Sequence, residues 1–91
     1  MSDAKLDDTL HTRHERYGTF LTTAQLIQDI KAVFRSAPGW QHLEADQRES
    51  LEMIAHKIAR ILRGDCNYTD SWHDIAGYAR LIELRLTGEL L

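Results

Sequence analysis

Three stretches of the chain carry residue types and spacings able to do chemistry. The first is Arg13-His14-Glu15-Arg16-Tyr17-Gly18. Arg13 and Arg16 stand three apart and share a helical face. A guanidinium presents a two-pronged fork to a phosphate, and the adjacent Tyr17 ring can stack on a base. The plainer alternative is a solvated helical turn with Tyr17 packed on the core, and spacing alone favours it. The second stretch is Lys57-Ile58-Ala59-Arg60. At ~100° per residue, Lys57 flanks the apolar stripe of its helix, and Arg60 lies nearly opposite the centre of that stripe with Glu49, Met53 and His56. That opposite side is either solvated or a second buried face, serving as a subunit contact or an anion pocket. Met53 in its middle speaks for a contact.

The third stretch is Asp70-Ser71-Trp72-His73-Asp74-Ile75-Ala76-Gly77-Tyr78-Ala79. Asp74 and Tyr78 stand at i and i+4 on the margin of an apolar stripe. Asp74 can accept a hydrogen bond from a base edge or an arginine, or bind a metal. Trp72 is a second stacking ring or a core anchor, and Asp70 and Ser71 are candidate helix caps. Gly77 inside a helix costs ~1 kcal/mol relative to Ala, which close approach of another helix or a ligand would explain. Metal and nucleophile chemistry are less well supported. Of the five histidines, only His11 and His14 stand close together, and no zinc-ligand spacing follows. Cys66 is single, sits among turn formers, and has no catalytic pattern beside it. No Gly-rich phosphate loop is present.

The elements that must position these residues are helical. Residues 1–8 are polar and expected to fray. Residues 9–17 form a short helix ended by Gly18 in a left-handed cap. Thr22 and Gln25 have capping-box spacing. The helix they open carries Leu26, Ile27, Ile30, Val33 and Phe34 at a helical period, and Pro38 stops it. The longest element spans 45–63, with Leu51, Ile54, Ala55, Ile58, Ile61 and Leu62 as its stripe and Gly64 as its stop. The last runs to Leu86 with Ile75, Tyr78, Ala79, Ile82 and Leu86 inward, and Gly88 ends it. No segment alternates apolar and polar residues for long. The expected fold is all-α: a compact bundle of three long helices plus a short N-terminal one, forming a single domain over 9–91.

Ninety-one residues leave no room for two cores, and such a chain buries only about 60–65% of the surface its unfolded form exposes. A second buried face would add stability, so a homo-oligomer is expected. The 43% hydrophobic and 27% charged composition excludes intrinsic disorder. Eleven Lys and Arg against fourteen Asp and Glu give a charge of -3, which excludes a general binder of long nucleic acid. Any nucleotide contact must come from a local basic pocket. One cysteine, an N-terminus with Asp3, Asp7 and Asp8, and no run near the roughly 20 apolar residues of a membrane span lead to the expectation of a cytoplasmic protein with no membrane partner.

The strings Lys57-Ile-Ala-Arg60 and Asp70-Ser-Trp-His-Asp74-Ile-Ala-Gly-Tyr78, with Arg16-Tyr17-Gly18 upstream, resemble a family of small phage and prophage proteins of unknown function. The resemblance covers about residues 13–86. That family in turn resembles, more distantly, the MazG-like all-α nucleotide pyrophosphohydrolases. Those enzymes hold Mg²⁺ with a Glu-x-x-Glu pair on one core helix and an acidic pair on the next. Here Glu49 and Glu52 have the first spacing, and Asp70 and Asp74 follow. Asp70-x-x-x-Asp74 departs from the enzymes' acidic spacing, and Glu49 lies about 160° from the start of the apolar stripe at Leu51. Lys57 and Arg60 stand near where inward acids would be wanted, and cations favour holding a phosphate directly over holding it through Mg²⁺.

What these residues and the resemblance together imply is a phage nucleotide-binding protein without turnover and without a cofactor, acting in the host cytoplasm. It would be a sponge for a cyclic nucleotide defence signal. Arg13, Arg16, Lys57 and Arg60 would hold phosphate. Tyr17, Trp72 or Tyr78 would stack on bases, and Asp74 would read a base edge. One alternative is an Mg²⁺-dependent MazG-like pyrophosphohydrolase using Glu49, Glu52, Asp70 and Asp74. Another is a non-catalytic helical interaction module. The pocket is expected where the long helix meets the last one, with Lys57, Asp74 and Tyr78 in its wall.

Overall fold

A computed structural model describes residues 3–89, all of whose regular structure is helical. Helix α1 covers Asp3–Tyr17, α2 Phe20–Ser36, α3 Ala45–Arg63 and α4 Thr69–Leu86, with a 3₁₀ turn over Pro38–His42 between α2 and α3. The all-α expectation holds, and the bounds of α3 match the sequence pattern.

The N-terminal reading needs correction. The first helix is not short: it has 15 residues against 17, 19 and 18 for the others, and it includes residues 3–8, which were expected to fray. The expected fraying of residues 1 and 2 lies outside the described residues. Three local features support the helix. Asp3 in its first turn complements the macrodipole, Leu6 and Leu10 form an i,i+4 apolar pair, and the Thr9 and Thr12 hydroxyls bond the carbonyls of Lys5 and Asp8.

Two cap assignments also move. The helix after Gly18 starts at Phe20 with Thr19 as its cap, and Thr22 bonds the Thr19 carbonyl from inside the first turn. Gln25 instead bonds Asp29. The capping-box contact stands at α3, where the Glu44 amide donates to the Gln47 side chain at 2.8 Å. Helix α4 begins at Thr69 after Tyr68, so Asp70 and Ser71 lie inside its first turn.

Helix α3 is the central element, packed by α4 and α2 along its length and by α1 at its C-terminal end. Helices α3 and α4 run antiparallel, as three contacts in opposite order show. The Asp46 carboxylate receives two 2.7 Å bonds from the Arg85 guanidinium, the Ser50 hydroxyl donates to the Tyr78 carbonyl, and Lys57 pairs with Asp74. Phe34 stacks on Trp40 at 5.8 Å, and Arg48 bonds the Trp40 and Gln41 carbonyls, which fixes the corner between α2 and α3. The side of α3 carrying His56 and Arg60 faces the chain's own α1 and α2.

The core is thin. Its buried apolar residues are Ile27, Ala55 and Ala59, and among the described residues no large side chain is fully buried. The radius of gyration is 15.5 Å, against about 12 Å for a compact domain of this length. Leu62 and Val33, expected on inward stripes, are largely exposed. No described helix is long and apolar enough to cross a membrane.

Candidate functional site

Two glycines dock the end of α1 on the end of α3. Gly18 has φ +80°, a left-handed conformation that side chains disfavour, and a Cβ there would run into the Arg63 carbonyl. Gly64 is reciprocal: its Cβ would run into the Arg16 carbonyl and the Tyr17 Cα. The Asp65 amide then donates to the Arg16 carbonyl at 2.6 Å, and the Thr23 hydroxyl to the Tyr17 carbonyl at 3.0 Å. These contacts hold the backbone of residues 16–18 against the end of α3 and the loop after it.

Those side chains form a ladder of rings and guanidiniums. The Tyr17 ring stands edge-on to Tyr68 at 6.1 Å. Arg60 lies over Tyr17 at 4.5 Å, Arg13 over the same ring at 5.2 Å, and Arg16 over Tyr68 at 4.3 Å. None of the three arginines has a carboxylate within ion-pair distance among the described residues. Lys31, Lys57 and Arg85 do, with Glu52 at 3.4 Å, Asp74 at 3.0 Å and Asp46 at 2.7 Å. Arg13, Arg60 and Tyr17 line a cavity of about 600 Å³ between α1, α2 and α3, whose wall is mostly apolar. Phe20, 86% exposed, and the half-buried His56 also line it.

The electrostatics of the cavity are cationic. Burial holds the His56 imidazole below its usual pKa, and Lys31, Arg60 and Lys57 push it the same way against an opposing pull from Glu52. His56 is therefore a neutral ring near physiological pH, with a donor or acceptor nitrogen to offer. At the edge of the cluster the Tyr68 hydroxyl donates to Asp70 at 2.8 Å; this bond and the carboxylate's charge raise the Tyr68 pKa.

The residues singled out in the sequence divide into two groups. Arg13, Arg16, Tyr17 and Arg60 come together. Lys57, Asp74 and Tyr78 lie on the α4 side of α3, where Lys57 and Asp74 form an ion pair as their stripe margins suggest. A shallow groove of about 360 Å³ there is lined by Asp74 and Tyr78 with His73, Gly77 and Leu81. The larger cavity is thus not the one expected between α3 and α4. Trp72 lines neither cavity; it is 56% exposed, with its indole donating to the Cys66 carbonyl at 2.9 Å. Gly77 is not explained by close approach within the chain, since a Cβ there would meet nothing within 4 Å. Two guanidiniums lie over the Tyr17 ring, and Phe20 is the most exposed ring on the cavity.

The acids do not fit a magnesium site. Glu49 is exposed, Glu52 is paired with Lys31, Asp70 accepts from Tyr68 and Asp74 is paired with Lys57. Among the described residues no three His, Cys, Asp or Glu side chains gather where a metal ion would be held. Three carboxylates engaged by separate partners and a fourth left exposed supply no shared oxygen cage.

Sequence reasoning missed Tyr68, Phe20 and His56 as members of the site. His56 was legible as a neighbour of Arg60 one turn away. Tyr68 and Phe20 had no signal, because their partners lie on other helices. Comparisons with family models, with curated proteins and with solved structures returned no match.

Proposed function

We propose that the chain binds a nucleotide without turning it over, at the cavity between α1, α2 and α3. One observation carries this: Arg13, Arg16 and Arg60 are stacked on tyrosine rings and, among the described residues, have no carboxylate within ion-pair distance, although the chain is net acidic. A guanidinium held by a ring has already lost much of its rotamer freedom, so an anion meets a prearranged fork. Phosphate against these arginines and a base on the open Phe20 ring is the arrangement the apolar wall and cationic end suit. His56 would hydrogen-bond the ligand from the cavity wall.

The finer elements come from the resemblance of the Arg16-Tyr17-Gly18 and Asp70–Tyr78 strings to small phage proteins and, beyond them, to the MazG-like bundles. They are a phage origin, a host-cytoplasmic location, and a role as a sponge for a cyclic nucleotide signal. Hydrolysis is not part of the proposal, because three of the acids that would carry Mg²⁺ are engaged by separate partners and the fourth, Glu49, is exposed. The exposed Phe20 ring and Leu10 on the cavity also favour the reading of an interaction module.

Thermal shift and calorimetry with mononucleotides and cyclic dinucleotides, each with and without Mg²⁺, test the proposal. Metal-independent stabilisation with the nucleotide recovered intact is expected. Arg16→Ala and Arg60→Ala should each weaken binding at least about tenfold, since a charge-assisted contact is worth ~1.5–3 kcal/mol. No response to any nucleotide, or equal affinity after both substitutions, would sink it.

A further inference from the structure

Helix α1 is anchored only at its C-terminal end. It has no buried residue, and Leu6 and Leu10 are 46% and 55% exposed. Read along its length, Asp3, Leu6, Leu10, Arg13 and Tyr17 recur at intervals of three, four, three and four. That is the spacing of a helix–helix seam, and it places these five residues on one face. The last position, Tyr17, is seated on α3 through Arg60 and Tyr68. The first four are exposed, Asp3 and Leu6 beyond the cavity and Leu10 and Arg13 at its edge. Charge is polarised along the same helix. Its first half holds Asp3, Asp7 and Asp8 against one lysine, and its second half holds Arg13 and Arg16 against one glutamate.

We infer that a second copy of this chain pairs its α1 antiparallel with α1, in the register that sets Leu6 against the partner's Leu10 and Asp3 against the partner's Arg13. The two-fold axis then passes beside residue 8, and every contact occurs twice. Antiparallel seams pair the first and fourth positions of the seven-residue repeat, which this register does throughout. A parallel pair would set Asp3 on Asp3 and Arg13 on Arg13, so charge selects the orientation. The occupant is a second copy because the acidic and basic halves that complement each other are on the same helix. The thin core and extended shape of one chain supply the thermodynamic reason. The seam stops short of Tyr17, so Arg16, Arg60 and Tyr68 keep their arrangement. Leu10 and Arg13 also line the cavity on which the nucleotide reading rests, and that reading is tested separately on Arg16 and Arg60.

Sedimentation equilibrium of the full chain gives the test. Wild type should be a dimer in the micromolar range, and Leu6→Asp with Leu10→Asp should return it to monomer with helicity retained, since both side chains are exposed. Asp3→Arg alone and Arg13→Asp alone should each weaken the dimer roughly tenfold, because two equivalent attractions become repulsions. Mixing these two charge-reversed chains should restore association as a heterodimer tighter than either homodimer. A wild-type monomer at millimolar concentration, a dimer indifferent to the leucine changes, or no heterodimer preference on mixing would each overturn the pairing.

Discussion

Replacing one glycine by alanine should have opposite consequences at two positions, and the difference follows from what surrounds each Cα. At Gly64 the new Cβ points into the Arg16 carbonyl and the Tyr17 Cα, both backbone atoms that cannot rotate away. Relief requires α1 to back off from α3, which also stretches the 2.6 Å bond from the Asp65 amide to the Arg16 carbonyl. Overpacking typically costs 1–3 kcal/mol and a net hydrogen bond about 1, so Gly64→Ala should destabilise by ~2–4 kcal/mol. In a domain of this size each kcal/mol shifts the midpoint by about 4–8 °C, so Tm should fall by roughly 10–25 °C. At Gly77 the Cβ meets nothing within 4 Å and the residue is in a helix interior. Gly77→Ala should therefore gain ~0.5–1 kcal/mol of helix propensity and raise Tm by about 3–6 °C. The assay is thermal unfolding followed by circular dichroism, with nucleotide affinity measured well below each midpoint. Gly64→Ala should also lose affinity, because Arg16 and Tyr17 move with the α1 backbone. A Gly64→Ala protein as stable as wild type would refute the docking of α1 on α3. A Gly77→Ala protein less stable than wild type would show that something covers the α4 groove.

Stability should depend on pH through His56. Its folded-state pKa is lowered, so the unfolded chain takes up the proton more readily; stability falls as pH drops below the ordinary histidine value of 6.5 and recovers above it. Denaturant melts at about pH 5 and about pH 7.5 should show this slope, and His56→Gln should flatten it. The Arg85 guanidinium lowers the Asp46 pKa by hydrogen bonding and charge, so that contribution is present above the usual carboxylate range and lost as pH falls through the folded value. Arg85→Gln should move the Asp46 titration, read by NMR, up toward its ordinary position. Lys57 is more enclosed than Asp74, so Asp74→Asn, which strands the ammonium, should cost about 1 kcal/mol in a chemical melt. Nucleotide affinity should be unchanged in that variant, and a loss would move the site to the α4 groove.

Much of the fold was legible because it follows from local periodicity. The stripe from Leu51 to Leu62 and the stop at Gly64 define α3, and Pro38 and Gly18 end their helices for reasons carried by the residue itself. The i,i+3 placement of Arg13 and Arg16 and the marginal positions of Lys57 and Asp74 were likewise readable, since a helix sets them. Caps were less legible: Thr22, Asp70 and Ser71 have cap chemistry, yet each lies inside a helix, because the position where the chain turns is set by what it packs on.

The partners of these residues were decided only by the tertiary structure. Helical geometry gives the direction of Arg60 around α3, but α1 arrives there because Gly18 and Gly64 let two backbones meet, and only then does Arg60 find Tyr17 while Lys57 finds Asp74. Spacing cannot show that Glu52 faces Lys31 on another helix, nor that Tyr68 meets Arg16 across more than fifty residues. Local sequence determines which side of a helix a residue occupies. Its neighbour, and hence its chemistry, depends on contacts between residues far apart in the chain, whose loop-closure cost and packing gain are settled by the whole molecule at once.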